Sequence, residues 1–431
     1  MQVSVESGEG LQRRMTVGLP PERVEAEVDK RLREFARTAR LPGFRPGKVP
    51  VKVLRQRYGG QVQQEVFGEL VQSSFSEALS QERLRPAAAP EIEPDIDQSE
   101  KRYAYTAVFE VLPQFELASL EGKSIKRPAV EVSDADLDAM IERLREQRKT
   151  WESVERAAQE GDKLTISFTG TMDGEEFEGG SAEDAEIELG SGRMMPGFES
   201  GLVGTQAGGE TRLDLSFPED YHAEHLKGKA VTFDVRVSEV AQPVLPEVDG
   251  AFARDFGVED GDLERFRRDV RNNMERELKQ RVSARIKNQV MDLLLESNQI
   301  DLPGALIKEE IQALKNQTRQ NAGSGRLELP DDLFEDSARR RVALGLIIAE
   351  VVSKNAIKVD PERVRAAVED MASTYEHPQD VIDFYYGNKE NLASVETLTL
   401  EDQVVDWVTE QVSVEDEPGT FQELTEAAPA R

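Results

Sequence analysis

The chain has 431 residues, 38% hydrophobic and 32% charged, with a formal net charge of -30, a length that predicts roughly two to four domains rather than one compact enzyme. It has no cysteine, which excludes a disulfide framework and a thiol nucleophile. Met1 to Ser7 lacks a basic and then apolar leader, and the most apolar run, Val342 to Val352, is interrupted by Gly345 and Glu350; neither a signal peptide nor a membrane span is expected, so a soluble, cytoplasmic protein without a membrane partner is.

Residues near 2–6 and 11–17 alternate polar and apolar around Gly8-Glu9-Gly10, which predicts a β-hairpin. Pro20-Pro21 suits a helix start, and Val24, Val28, Leu32, Phe35 and Ala39 then recur at helical spacing. Two glycines and three prolines between Leu41 and Pro50 end that helix in a loop. A second helix is expected from about Gly60, burying Val62, Val66, Leu70, Phe75 and Leu79, with a loop from Pro86 to Pro94. Tyr103, Tyr105, Ala107, Phe109 and Val111 alternate as a strand. Together these predict an α+β domain over 1–112, with the loop at the tip of a helical hairpin.

Residues 113–149 read as a linker, with Ser133 capping a helix through Leu137, Ile141 and Leu144. Residues 150–245 are rich in glycine and short alternating runs, including 164–168 and 230–237, and predict a small β-rich domain. From 246 to the end the pattern is helical. Leu263 to Leu294 steps by three or four without a break, a helix on the order of 50 Å long. Further helices are expected near 331–354, 361–376, 379–386 and 398–412, before an acidic, disordered tail beyond Val414.

Charge is uneven along this chain. Lys30, Arg31, Arg33, Arg37, Arg40, Arg45, Lys48, Lys52, Arg55 and Arg57 face only Glu34. Such an island means either a polyanionic partner or a solvated, arginine-rich hairpin. The loop itself, Gly43-Phe44-Arg45-Pro46-Gly47-Lys48-Val49-Pro50, resembles the docking signature Gly-Phe-Arg-x-Gly-Lys-x-Pro of the trigger factor family, bacterial ribosome-associated chaperones. The resemblance implies that Gly43, Phe44, Arg45, Pro46, Gly47 and Lys48 bind the large ribosomal subunit near the exit tunnel. Pro46 stands where the family often has a further lysine.

A second set of fragments follows in order: Ile166-Ser167-Phe168-Thr169-Gly170, Asp173-Gly174-Glu175-Glu176-Phe177, Leu189-Gly190, Pro196 to Leu202, Gly208-Gly209-Glu210 and Phe217-Pro218. This series resembles an FKBP-type peptidyl-prolyl isomerase, as found inside trigger factors. Carried over residue by residue, it implies that Phe168, Phe177, Glu178, Met195, Phe198, Tyr221 and Phe233 line a proline pocket. Glu178 stands where many free-standing members have Asp, and Phe198 where they have Trp. Taken alone, Phe168 reads as barrel core; Phe198 and Phe233, in this order of motifs, read as pocket. The chemistry needs no nucleophile or cofactor: an amide twisted out of resonance is less polar, so an aromatic, water-poor pocket favours it over the planar state.

His222, Glu224 and His225 lie close together, but a zinc site needs a third protein ligand, and only His377 remains; no metal is expected. No phosphate-binding loop of the Gly-x-x-x-x-Gly-Lys type occurs. The apolar rows after 246, ringed by charge, suit a surface for unfolded segments, as the resemblance implies for the family's helical chaperone region.

The expected architecture is therefore multidomain α+β: a docking domain with a helical hairpin, an FKBP-like domain, and an all-α chaperone domain. The expected partners are the ribosome, nascent and unfolded polypeptides, and a second copy off the ribosome, with no DNA and no membrane. Two readings compete: a free FKBP-type isomerase with accessory helices, and an RNA-binding protein using the basic hairpin.

Overall fold

The computed structural model describes residues 1–39, 41–42, 44, 49–97, 102–172, 174–221, 223–224, 226–321, 329–373, 375 and 377–426, with Glu178 in its backbone only. Two compact units result: Met1–Arg127 with Ala284–Asp416, and Pro128–Ser283 with the chain from Glu417 onward. Among the described residues, no helix is long and apolar enough to cross a membrane.

The chain begins with β1 (Gln2–Ser7), β2 (Gln12–Leu19), α1 (Pro21–Thr38), α2 (Val51–Glu82), β3 (Glu91–Asp97) and β4 (Arg102–Glu110). The strands form an antiparallel sheet in the order β1-β2-β4-β3. Period-two alternation sends Met15, Val17 and Leu19 to one face, opposite Ala107, Tyr105 and Tyr103. Val24, Val28 and Leu32 of α1 and Val62, Val66 and Leu70 of α2 join them in one core.

Two boundaries differ from expectation. The second helix starts at Val51, not near Gly60. Gly59 and Gly60 cost it up to roughly 1 kcal/mol each against alanine, but burial of Leu54, Val62 and Val66 holds the helix through them. The loop expected up to Pro94 gives way at Glu91 to β3, which runs on to Asp97 and tolerates that proline because it lies at the sheet edge.

Next come β5 (Ser124–Ala129), α3 (Asp134–Gln147) and β6 (Thr150–Ser153). Ser133 caps α3 as expected: its hydroxyl accepts from Asp136 N–H at 3.2 Å, and the Asp136 carboxylate accepts from Ser133 N–H at 3.0 Å. Leu137 and Ile141 of α3 are buried in one core with Phe252, Phe266, Val270 and Met274. The segment read as a linker thus contributes side chains to a core.

The β-rich part holds β7 (Lys163–Met172), β8 (Glu175–Glu188), α4 (Phe198–Leu202), β9 (Glu210–Ser216) and β10 (Ala230–Val244). Its sheet runs β6-β10-β7-β8, with β9 also on β10. The long β10 pairs with β9 through Ala230–Arg236 and with β6 through Ala241–Val244, so that Thr150 lies opposite Val244.

The remaining elements are α5 (Gly250–Asp255), α6 (Leu263–Ser297), α7 (Gly304–Asn321), α8 (Asp332–Lys354), α9 (Pro361–Ala372), α10 (Pro378–Gly387), α11 (Lys389–Gln411), β11 (Ser413–Pro418) and α12 (Phe421–Glu426). Val290, Met291 and Leu294 of α6 pack with Ile347, Val351, Val404 and Val408. The disordered tail expected beyond Val414 is corrected up to Glu426. There β11 pairs with β5, Arg127 makes a two-pronged ion pair with Asp416, and Phe421 is 2% exposed. Acidic composition concealed two apolar anchors, Phe421 and Leu424.

Candidate functional site

The β-rich sheet gathers the aromatic side chains singled out from the sequence. Phe168 comes from β7, Phe177 from β8, Phe198 from the start of α4, and Phe233 from β10. Phe198 meets Phe233 edge-on at 5.2 Å and Phe168 at 5.6 Å, and Phe168 meets Phe233 at 5.8 Å. Phe177 reaches Phe233 at 6.4 Å. These T-shaped contacts are the geometry the ring quadrupoles favour. Met195 and Tyr221 pack against the same cluster. The side chain of Glu178 lies outside the described residues, as do His222 and His225.

Burial separates the rings in a way the sequence does not. Phe198 is 0% exposed and Phe233 5%, while Phe168, Phe177, Met195 and Tyr221 are half-buried. Phe198 and Phe233, read as pocket, are the enclosed rings; Phe168, read as core, is more open. The cluster is thus a buried aromatic floor bordered by partly accessible side chains, with no nucleophile or acid–base pair among its described members.

Two glycines let the rings come this close. Gly170 of β7 is directly opposite Phe233 in the sheet. A Cβ on Gly170 would lie 2.6 Å from a Phe233 ring carbon, 2.9 Å from one of Phe177 and 3.0 Å from the Gly180 carbonyl oxygen. Gly197, which precedes α4, has φ 91°, a left-handed conformation that glycine adopts without strain.

Sequence reasoning missed two members. Phe217 links the cluster's edge, 6.0 Å from Phe177 and 4.8 Å from Tyr221. Glu199 is buried, and its carboxylate accepts from Gly190 N–H at 2.9 Å, Gly192 N–H at 3.0 Å, Met194 N–H at 3.0 Å and the Ser191 hydroxyl at 3.1 Å. Burial alone pushes this carboxyl up; the bonds from Met194, Gly192, Ser191 and Gly190 more than offset that and hold it below the ordinary glutamate value. It fixes the loop that carries Met194 and Met195. The available signal was an acid directly after Pro-Gly-Phe and a few residues beyond a Gly-Ser-Gly turn that needs acceptors.

Asp162 is a second fixed carboxylate at the base of the same sheet. Burial pushes it up, but Arg156, at 2.6 and 2.9 Å, and the Gln159 N–H, at 2.8 Å, hold it below the ordinary aspartate value.

In the helical hairpin, Leu41 and Val49 at the two ends of the loop are 6% and 4% exposed, while Phe44 between them is 39% exposed. Phe44 N–H donates to Leu41 O at 3.1 Å. Gly43, Arg45, Pro46, Gly47 and Lys48 lie outside the described residues. The basic island is partly neutralised: Arg31 pairs with Glu69, Arg55 with Asp29 and Lys30 with Glu27. Among the described residues, Arg33, Arg37, Lys52 and Arg57, on the ends of the helices nearest the loop in sequence, make no ion pair.

Comparison with known proteins gives three matches to family models. Residues 1–144 match the bacterial trigger factor protein, 262–410 its C-terminus, and 154–238 the FKBP-type peptidyl-prolyl cis-trans isomerase. The chain is 51% identical over 427 residues to the trigger factor of Thioalkalivibrio sulfidiphilus, covering 98% of each chain. It is 49% identical to that of Stutzerimonas stutzeri over 432 residues, covering 100% of this chain and 99% of the other. A solved structure of the trigger factor chaperone, from work on promiscuous substrate recognition in folding and assembly, superposes with a TM-score of 0.50 at 17% identity, covering 95% of this chain and 99% of that one.

Proposed function

The chain belongs to the trigger factor family and carries an FKBP-type peptidyl-prolyl isomerase domain, and from that premise we propose that it docks on the ribosome, shields apolar segments of emerging chains and isomerises their X-Pro bonds. In this reading, residues 1–112 dock, 113–149 connect, 150–245 isomerise and 246–431 hold clients. The dock is the large subunit near the exit tunnel, the compartment is the cytoplasm, and off the ribosome two copies associate.

Isomerisation is assigned to the aromatic floor and its border: Phe198 and Phe233 beneath, with Phe168, Phe177, Glu178, Met195 and Tyr221 around them. A proline ring laid on this floor loses water, and the twisted amide gains against the planar one. Client holding is assigned to exposed apolar side chains of the helical region, Leu333, Phe384, Tyr386 and Leu398 on its helices and Tyr375 between α9 and α10, which are 49 to 69% exposed.

Ribosome docking rests on one observation: Phe44 is exposed although both loop ends are anchored in the core. A lone exposed aromatic is ordinary, but this one sits between helix ends with four cations free of ion pairs. Gly43, Phe44, Arg45, Pro46, Gly47 and Lys48 form the contact, the ring filling an apolar notch and Arg45 and Lys48 meeting phosphate or carboxylate. The test is co-sedimentation with ribosomes after changing Phe44, Arg45 and Lys48 to Ala. Binding is expected to vanish while peptide isomerisation stays unchanged. Retained binding at moderate salt would favour the free-isomerase reading.

A further inference from the structure

A cavity of about 1190 Å³ lies between the C-terminal end of α2, the start of the chain after β4, and α8. Its walls are apolar in part, with Leu79, Leu84, Phe115 and Leu346, yet they also carry Arg13, Arg83 and Arg85 against a single acid, Glu350. On this chain that is unusual, since acids outnumber bases 84 to 54 and several arginines of the same sheet and hairpin have carboxylate partners, such as Arg14 with Glu93 and Arg23 with Glu77. Among the described residues, Arg83 and Arg85 have none.

The arginines also sit on fixed backbone. Arg13 belongs to β2, and its guanidinium donates to the carbonyls of Gly10 and Gln12. Arg85 O accepts from Leu112 N–H at 2.9 Å, next to the bridge between Pro86 and Val111. Arg83 closes α2 with φ 55° and ψ 35°. Glycine is the residue that adopts this left-handed cap without strain, and a side chain there costs roughly 1 kcal/mol or more. An arginine is therefore kept where its backbone is least comfortable, with its charge unpaired at a cavity.

We propose that this cavity receives a stretch of unfolded polypeptide in which carboxylates alternate with aliphatic side chains. The inference rests on the client-holding reading above and adds a class of client to it. Guanidinium groups grip carboxylates in two-pronged pairs, and the leucines and Phe115 take the aliphatic neighbours. A chain with a net charge of -30 repels acidic segments over most of its surface, so a concentrated set of unpaired arginines beside apolar side chains supplies what such clients need. A nucleic-acid strand fits less well, because it would bring phosphate without apolar groups to a wall that offers one aromatic ring for stacking.

The test uses the full chain and an Arg83→Glu/Arg85→Glu double variant, with an Arg83→Gln/Arg85→Gln variant as a milder control and circular dichroism to check folding. Fluorescence anisotropy is read with three labelled peptides: alternating Leu and Glu, alternating Leu and Lys, and alternating Leu and Ser. The acidic peptide is expected to lose about tenfold in affinity in the Glu variant and less in the Gln variant, with the Ser peptide unchanged. Equal binding of the acidic peptide to parent and variants overturns the proposal; if the Ser peptide still binds, client holding itself stands. Failure of all three peptides to bind the parent removes both. Displacement of the acidic peptide by an equal concentration of an RNA oligonucleotide overturns it in favour of nucleic acid.

Discussion

The carboxylate of Glu199 accepts a hydrogen bond from the backbone N–H of Met194 at 3.0 Å, and so ties the pocket's methionine loop to the helix that supplies Phe198. Three other donors, from Gly190, Ser191 and Gly192, share the same carboxylate. In Glu199→Gln the amide nitrogen is a donor and can no longer accept. Leaving buried N–H groups without acceptors costs about 1–3 kcal/mol each, so the variant should melt earlier and turn over X-Pro peptides more slowly. The folded carboxyl lies below its unfolded value, so its contribution is complete above about pH 4.3 and is lost as pH falls through the folded value. The stability gap between parent and variant should therefore narrow on acidification. A gap independent of pH, measured by denaturant titration between neutral and acid pH, would count against this role.

Substitutions in the aromatic floor need matching to burial. Phe198→Ala removes a fully enclosed ring and should cost about 3–5 kcal/mol, enough to confuse unfolding with lost catalysis. Phe198→Leu and Phe233→Leu keep more of the volume. They should leave the far-ultraviolet spectrum native while strongly reducing cis/trans conversion in a protease-free assay. Near-normal rates in both folded variants would remove the floor from the mechanism.

Gly170→Ala tests the same site from the backbone side. The added methyl would meet the rings of Phe233 and Phe177 and the Gly180 carbonyl. Because the carbonyl cannot swing aside, the rings or the strands must shift, at about 1–3 kcal/mol. Reduced isomerisation with a lower Tm is expected. An unchanged rate and Tm would show that the rings are looser than their packing implies.

Client holding should survive removal of the isomerase. The Arg145 guanidinium donates to Pro246 O at 2.8 Å, so the chain just before and just after residues 150–245 is already close together. A variant lacking 150–245, rejoined by a short flexible linker, should still slow aggregation of a refolding protein, read by light scattering. Complete loss of that activity in a folded, soluble deletion would place client contacts inside the isomerase.

Period-two and helical spacing made β1, β2, β4, the hairpin and the long α6 legible, because one face of each is buried; the edge strand β3, mostly exposed and carrying Pro94, gave no such pattern. What stayed hidden has local physical causes. Gly59-Gly60 looks like a break, yet the buried side chains around it keep α2 continuous. Glu199 looks like any surface acid, because its acceptor role depends on a loop that folds back over it. The division between enclosed Phe198 and half-open Phe168 depends on which rings meet across the sheet, and spacing along one strand does not carry that. Phe421 sits among acids, and only its burial shows that the chain there has a place to go.

The pairing of Thr150 with Val244 also changes the arithmetic of assembly. Ile141 and Phe252 belong to one core, but roughly a hundred residues separate them along the chain. If those residues were still unstructured, bringing the two ends together would mean closing a long, floppy loop. Once the inserted sheet has formed, its ends are held side by side, and the effective loop shrinks to roughly eighteen residues. With closure entropy growing as (3/2)RT ln n, that spares about 1.6 kcal/mol. The insertion thus acts as a clasp, and the natural order of events is for it to fold before the core that flanks it.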